Sequence, residues 1–230
     1  MKLYFLDTTS KTAINVGTLK KSGYNVRRLI ASIASTLDTL IVLGDDTPDD
    51  KVLGVIFHHL NGNKIVGIVK PQVTRLGAID QLKVYLKPNI NRVMILLDQE
   101  TTQLTNLIPE ITSRIRCEGI TIDEENQTET SERLKIYRCS FSNRNFELIL
   151  VINGIDESPT GNHAIEDHLV KVADLEEECR RTQNSKETWS SLTRVQQEGI
   201  FRSLQSRNLV VDNFPQQVNG CKRLEGNSNN

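Results

Sequence analysis

The chain has 230 residues, 37% of them hydrophobic and 25% charged, with a net charge of −1; that is enough for one large domain with a helical appendage. The near-neutral balance excludes bulk electrostatic capture of a polyanion, so a nucleic-acid partner would need a local basic patch, Lys20-Lys21 with Arg27-Arg28 or Arg180-Arg181. The four cysteines are widely spaced with no C-x-x-C pair, and no apolar run reaches the roughly 18 residues of a membrane span, which excludes a zinc ribbon, a dense disulfide framework and a bilayer segment.

Apolar, β-branched runs alternate with segments of helical period, the pattern of parallel βαβ units. Residues 2–6 read as a first strand, 11–21 as a helix stopped by Ser22-Gly23, 24–27 as a short strand and 29–37 as a helix. The strand at 39–43 runs into the acidic turn Asp45-Asp46-Thr47-Pro48-Asp49-Asp50. A helix at 50–60 follows, with Val52, Leu53, Val55, Ile56 and Leu60 forming a broad apolar stripe. Residues 64–69 read as a strand and 78–86 as a helix ended by Lys87-Pro88. The run Arg92-Val-Met-Ile-Leu-Leu97 reads as a buried strand leading directly into Asp98-Gln99-Glu100. A helix is predicted at 103–117 and a polar, acidic surface loop at 123–132. Strands at 133–140 and 146–152 are joined by Asn143-Arg144-Asn145, and helices follow at 163–178 and 186–207, the latter anchored by Trp189 and Phe201. Residues 216–230 lack apolar periodicity and read as a disordered tail.

Three acid clusters, 45–50, 98–100 and Glu166-Asp167, thus follow predicted strands or open a helix. A doubly wound sheet presents the carboxyl ends of its strands on one rim, where distant acids can converge. Carboxylates about 4 Å apart repel by about 4 kcal/mol each at a surface-like dielectric, so such a group needs protons or a cation. Hard oxygen donors favour Mg²⁺ or Mn²⁺. Each cluster also has a plainer reading: Asp45 to Asp50 as a helix cap with Pro48 in the first turn, Asp98 to Glu100 as acids at a helix dipole, Glu166 and Asp167 as a solvated helix face. His163 and His168 do not form H-E-x-x-H, and no Walker A pattern occurs.

The order strand, acidic turn, helix, strand, helix, strand, Asp-x-acid resembles the Toprim domain of topoisomerases, primases and nucleases related to the phage overcoming-lysogenization-defect protein. Leu40 to Gly44 match the first-motif strand, with Asp46 in place of the family's Glu, Thr47 in place of its Gly, and Asp49-Asp50 as the following acids. Val93 to Leu97 with Asp98-Gln99-Glu100 match the second motif, with Glu100 in place of its second Asp. Thr74 to Ala78 match the intervening Gly-containing loop. Leu148 to Ile152, Gly161 and Ile165-Glu166-Asp167 are similar to a later strand, loop and helix of Toprim-like proteins of unassigned function. The opening also resembles a response-regulator receiver through Leu6-Asp7, Lys21 to Val26, Asp38 to Leu43 and Leu86-Lys87-Pro88, but Gly44 stands where a receiver places its phosphorylated Asp.

The Toprim resemblance implies a mainly parallel Toprim- or Rossmann-like α/β sheet flanked by helices. It divides the chain into an N-terminal βα extension at 1–37, the Toprim-like domain at 38–178, a helical C-terminal extension at 179–215 and the tail at 216–230. It implies Mg²⁺ or Mn²⁺ held by Asp46, Asp50, Asp98, Glu100 and Glu166, with Asp46, Asp98 and Glu100 catalytic in phosphodiester hydrolysis or phosphoryl transfer on nucleic acid. The competing expectation is a catalytically degenerate module that acts through protein or nucleotide contacts. Reduced thiols and an acidic early residue, Asp7, point to a cytoplasmic location without a signal peptide.

Overall fold

Among the described residues eight strands form one mixed sheet in the order β2-β1-β4-β3-β5-β8-β7-β6. The computed structural model describes residues 2–7, 10–24, 26, 28–29, 37–45, 47–73, 75–87, 89–158 and 160–226. The chain runs β1 (Lys2–Phe5), α1 (Lys11–Thr18), β2 (Arg28–Leu29), β3 (Thr39–Leu43), α2 (Asp49–Leu60), β4 (Ile65–Val69), α3 (Gly77–Asp80), α4 (Leu82–Tyr85), β5 (Arg92–Asp98) and α5 (Leu104–Cys117). It continues through β6 (Thr121–Ser131), β7 (Leu134–Phe141), β8 (Arg144–Asn153), α6 (Ile165–Val172) and α7 (Glu176–Thr182). The last elements are α8 (Ser185–Ser191), α9 (Arg194–Ser203), α10 (Arg207–Asn213) and α11 (Pro215–Glu225). The strands from β2 across to β8 pair in parallel, while β8, β7 and β6 pair antiparallel.

The period of two along the central strands feeds two cores, one on each face. Ile41, Leu43, Met94, Leu96, Ile149 and Val151 point to a core shared with α1, α2, α6 and the C-terminal helices. Leu40, Val42, Val93, Ile95, Leu97, Leu148, Leu150 and Ile152 point to the other, built with α3 to α5. Strands buried on both faces read as unbroken apolar runs, which is why 39–43 and 92–97 stand out in the sequence. Each run ends where its backbone reaches the rim, and register places Asp98 beside Asn153 there.

Several boundaries move. The second strand is Arg28–Leu29 rather than 24–27, and the helix expected at 29–37 lies largely outside the described residues. The helix expected at 78–86 is two short ones, and that at 163–178 breaks at Asp174, which adopts φ 56°. The predicted acidic loop at 123–132 is instead most of strand β6, paired with β7 through Ile122 to Cys139 and Thr128 to Ile136; a ready partner outweighs polar composition. The β7–β8 turn is Ser142-Asn143, with φ 49° and 61°, the left-handed pair that suits a two-residue hairpin.

The largest correction concerns the end of the chain. Residues 216–225, read as part of a disordered tail, belong to α11 (Pro215–Glu225), which buries Gln216, Gln217, Val218, Gly220, Cys221 and Leu224. Gly220 lets this helix approach the sheet: a methyl there would stand 2.7 Å from Val151 Cγ2 and 3.0 Å from Met94 Sδ. Pro215 occupies the first turn, and Gly226 at φ 87° terminates the helix. The four cysteines are unpaired thiols, as their spacing predicts. Among the described residues no helix is long and apolar enough to cross a membrane.

Candidate acidic site at the carboxyl rim

Strand β5 delivers Asp98 to the rim, nearly fully buried, and three donors converge on it. Its Oδ1 accepts from Asn153 Nδ2 at 2.9 Å and from the Ile165 backbone N–H, at the first residue of α6, at 3.2 Å. Its Oδ2 lies 2.8 Å from Lys186 Nζ. Asn153, the last residue of β8 and fully buried, also donates to Asp49 Oδ1 at 2.6 Å, so one amide bridges two carboxyls. Asp49 opens α2, where the positive end of the helix dipole favours an acid.

Glu100 sits two residues beyond the strand at φ 60°, a left-handed conformation that costs a non-glycine residue about 1 to 2 kcal/mol. Paired backbone bonds with His163, 2.7 and 3.0 Å, hold it there. Its Oε1 then lies 2.5 Å from Lys186 Nζ and 4.0 Å from Arg75 Nε. Lys186 enters from α8, whose first turn is fixed by Asn184 accepting from the N–H groups of Lys186 and Glu187. A single ammonium thus clamps Asp98 and Glu100.

Glu166, on α6, is 6% exposed, and its Oε2 is buried without a hydrogen-bond partner among the described residues. Burial, reinforced by the charge of Asp98 and only partly offset by Lys186, pushes its carboxyl up to about 8. Burial also raises Asp49 well above the usual carboxylate range, with the charges of Asp98 and Glu166 adding to it. Asp45 is raised by burial and by Asp98. Burial opposes the charge of Lys186, but Asp98 and Glu100 more than compensate and hold its pKa above the ordinary lysine value. The cluster has more carboxylate than cation, and protons make up the difference.

The predicted residues therefore divide. Asp98, Glu100 and Glu166 meet at one rim. Asp50, although buried, turns away and accepts from Asn15 Nδ2 of α1 at 2.8 Å. Asp46 lies outside the described residues. Asp167 is a helix cap: its Oδ2 accepts from the Ala164 and Ile155 backbone N–H groups at 3.3 Å and meets His163 Nδ1 at 3.3 Å.

Asn153 and Lys186 belong to the rim although neither sits in a sequence motif, and Asp49, an acid of the first cluster but not among the implied metal ligands, joins them in place of Asp50. Asp49 differs from Asp50 by one helical step of about 100°, which decides which of the two faces the sheet. Asn153 closes an apolar strand as Asp98 does, so the same signal, a polar residue ending a buried run, marks it. Nothing around Lys186 in the sequence points to the rim.

Behind Asn153 lies a second polar layer. Gln217 Nε2 of α11 donates to Asn153 Oδ1 at 2.8 Å. His168 Nδ1 meets the Asn213 carbonyl at 2.5 Å, so that nitrogen carries the proton and Nε2 accepts from the side-chain amides of Gln216 and Gln217 at 3.1 and 3.3 Å. Burial drives the His168 pKa down to about 4.

These residues do not fit a divalent ion as they are arranged. Among the described residues no three His, Cys, Asp or Glu side chains are grouped so as to hold one. The oxygens of Asp98 are engaged by protein donors, and Lys186 stands against Asp98 and Glu100. Fold and rim define a doubly wound α/β protein with a proton- and lysine-neutralised acid cluster at the carboxyl ends of its strands. No family model, curated protein or solved structure matches the chain.

Proposed function

We propose that this chain is a Toprim-like module whose acid rim is neutralised from within, and that it works as a binding or regulatory module through protein or nucleotide contacts. The observation that supports this reading is the Lys186 clamp, 2.8 Å from Asp98 and 2.5 Å from Glu100. A divalent ion would meet the ammonium at those oxygens and would have to displace it. Charge already neutralised by the protein favours a rim that holds the fold together over one that handles a phosphoryl group.

The second reading is phosphodiester hydrolysis or phosphoryl transfer on nucleic acid with Mg²⁺ or Mn²⁺. One observation favours it: Glu166 keeps a buried oxygen without a partner among the described residues, in a cluster whose carboxyls outnumber its cations and are balanced by protons that a metal could replace. Thermal unfolding with and without MgCl₂ or MnCl₂, combined with cleavage assays on single- and double-stranded DNA and RNA, separates the two. The module reading expects an unchanged midpoint and no cleavage. A metal-dependent rise in the midpoint, abolished together with cleavage in Asp98→Ala, would overturn it.

A further inference from the structure

The segment that carries Lys186 into the acid rim has few anchors of its own. Helix α7 buries a single residue, Cys179. Helix α8 packs on α6 and α7 and buries Ser185, Thr188 and Trp189, two small hydroxyl residues and one aromatic. Trp189, the sole tryptophan of the chain, meets Phe201 of α9 edge-on, with ring centroids 5.9 Å apart. A segment with so few buried apolar side chains belongs to the low end of a protein's range of local stability.

Backbone and seat point the same way. Asp174 and Gln183, on either side of α7, adopt φ 56° and 58°, left-handed conformations that non-glycine residues keep only where surrounding contacts enforce them. Ser185 is fully buried, and its Oγ has no hydrogen-bond partner among the described residues. An unsatisfied buried hydroxyl carries a desolvation penalty, which lifting α8 would relieve by returning Ser185 to solvent.

Against this weak seat stands the Lys186 ammonium, 2.8 Å from Asp98 Oδ2 and 2.5 Å from Glu100 Oε1. Arg75, the other cation at Glu100, stands back at 4.0 Å. Two carboxylates therefore converge on one point, and the positive charge at that point arrives on the least anchored helices of the chain. Hard divalent ions are held by one or two protein carboxylates with water completing the shell. Such an ion and the ammonium compete for the same oxygens, so removal of one admits the other.

We propose that α7 and α8 form a detachable plug in which Lys186 is a tethered cation: with the plug seated the rim is closed to divalent ions, and with it lifted Asp98 and Glu100 accept one. This names the regulation of the rim and rests on the reading that the rim is neutralised from within. A ligand that binds only the lifted form shifts the balance toward it.

Native-state hydrogen exchange of the wild-type chain reads the plug: the amides of α7 and α8 are expected to exchange together, about tenfold or more faster than those of β5 and α11. Protection equal to that of β5 would overturn the proposal. Titration with MnCl₂, followed by the electron paramagnetic resonance of the free ion, reads the rim. Lys186→Ala is expected to bind Mn²⁺ about tenfold or more tighter than the wild type, and Asp98→Asn in that background to abolish the gain. Lys186→Gln, which retains a donor for Asp98, carries the same comparison should Lys186→Ala unfold. No gain in affinity, or a gain that survives Asp98→Asn, would overturn the proposal. A metal-dependent rise in the wild-type midpoint bears on the module reading alone, whereas the plug stands or falls on exchange and on the difference between variant and wild type.

Discussion

Lys186 Nζ lies 2.8 Å from Asp98 Oδ2, joining a C-terminal helix to the end of the central strand β5. The contact links the helical extension to the rim electrostatically, because Asp98 is almost fully buried and little screened by solvent.

Lys186→Met keeps an unbranched side chain one atom shorter and removes the charge. Loss of one partner leaves a buried carboxylate without its cation, a change that costs about 3 to 5 kcal/mol when both groups are buried. Lys186 is 31% exposed, so solvent screening lowers the expected loss to about 2 to 3 kcal/mol. Urea unfolding at neutral pH measures it. A loss under about 0.5 kcal/mol would show that the clamp is an ordinary surface pair.

Glu166 predicts a stability that falls as the solution becomes alkaline. Its folded pKa of about 8 lies above the ordinary glutamate value of 4.5, so the native state holds a proton that the unfolded chain releases. Its contribution is fully present below about 4.5 and is lost as pH rises through about 8. Glu166→Gln keeps the shape without the charge and should flatten this limb, stabilising the protein at pH 8 by roughly 1 to 3 kcal/mol. Chemical denaturation across the window reads both effects.

His168 has the opposite sign. Its folded pKa of about 4 lies below the ordinary histidine value of 6.5, so the unfolded chain takes up a proton that the native state refuses. The stability it contributes is present above about 6.5 and is lost as pH falls through about 4. Proton NMR of the ring should show no titration near neutrality. His168→Ala should cost about 2 to 4 kcal/mol, because it opens a cavity and removes the acceptor of two buried amides.

Gly220→Ala tests the approach of α11 to the sheet. The added methyl meets Val151 and Met94 at 2.7 and 3.0 Å, and neither can withdraw easily from a packed core. The expected cost is about 1 to 3 kcal/mol. Gln217 sits on the same helix less than one turn away, so its contact with Asn153 should loosen as well, visible as faster exchange of the Gln217 side-chain amide protons.

Much of the architecture is legible in the residues themselves. Buried strands must be apolar on both faces, so β3, β5 and β8 declare themselves, and helices on two faces follow from the alternation of elements. The convergence of Asp98, Glu100 and Glu166 on one rim follows from the same logic, because successive parallel strands end on the same side.

The sequence by itself determined the alternating α/β order, the double-sided burial of the central strands and the placement of acids at their carboxyl ends, because those depend on local period and on the polarity of neighbouring residues. Only the tertiary structure decided which acids face inward, that β6 finds a partner, that α11 folds onto β5 and β8, and that Lys186 supplies the cation at the rim. Those outcomes depend on contacts between residues far apart in the chain: a helix as weakly patterned as Pro215–Glu225 is held by the surface it covers, and a lysine acquires its role from the carboxylates it meets.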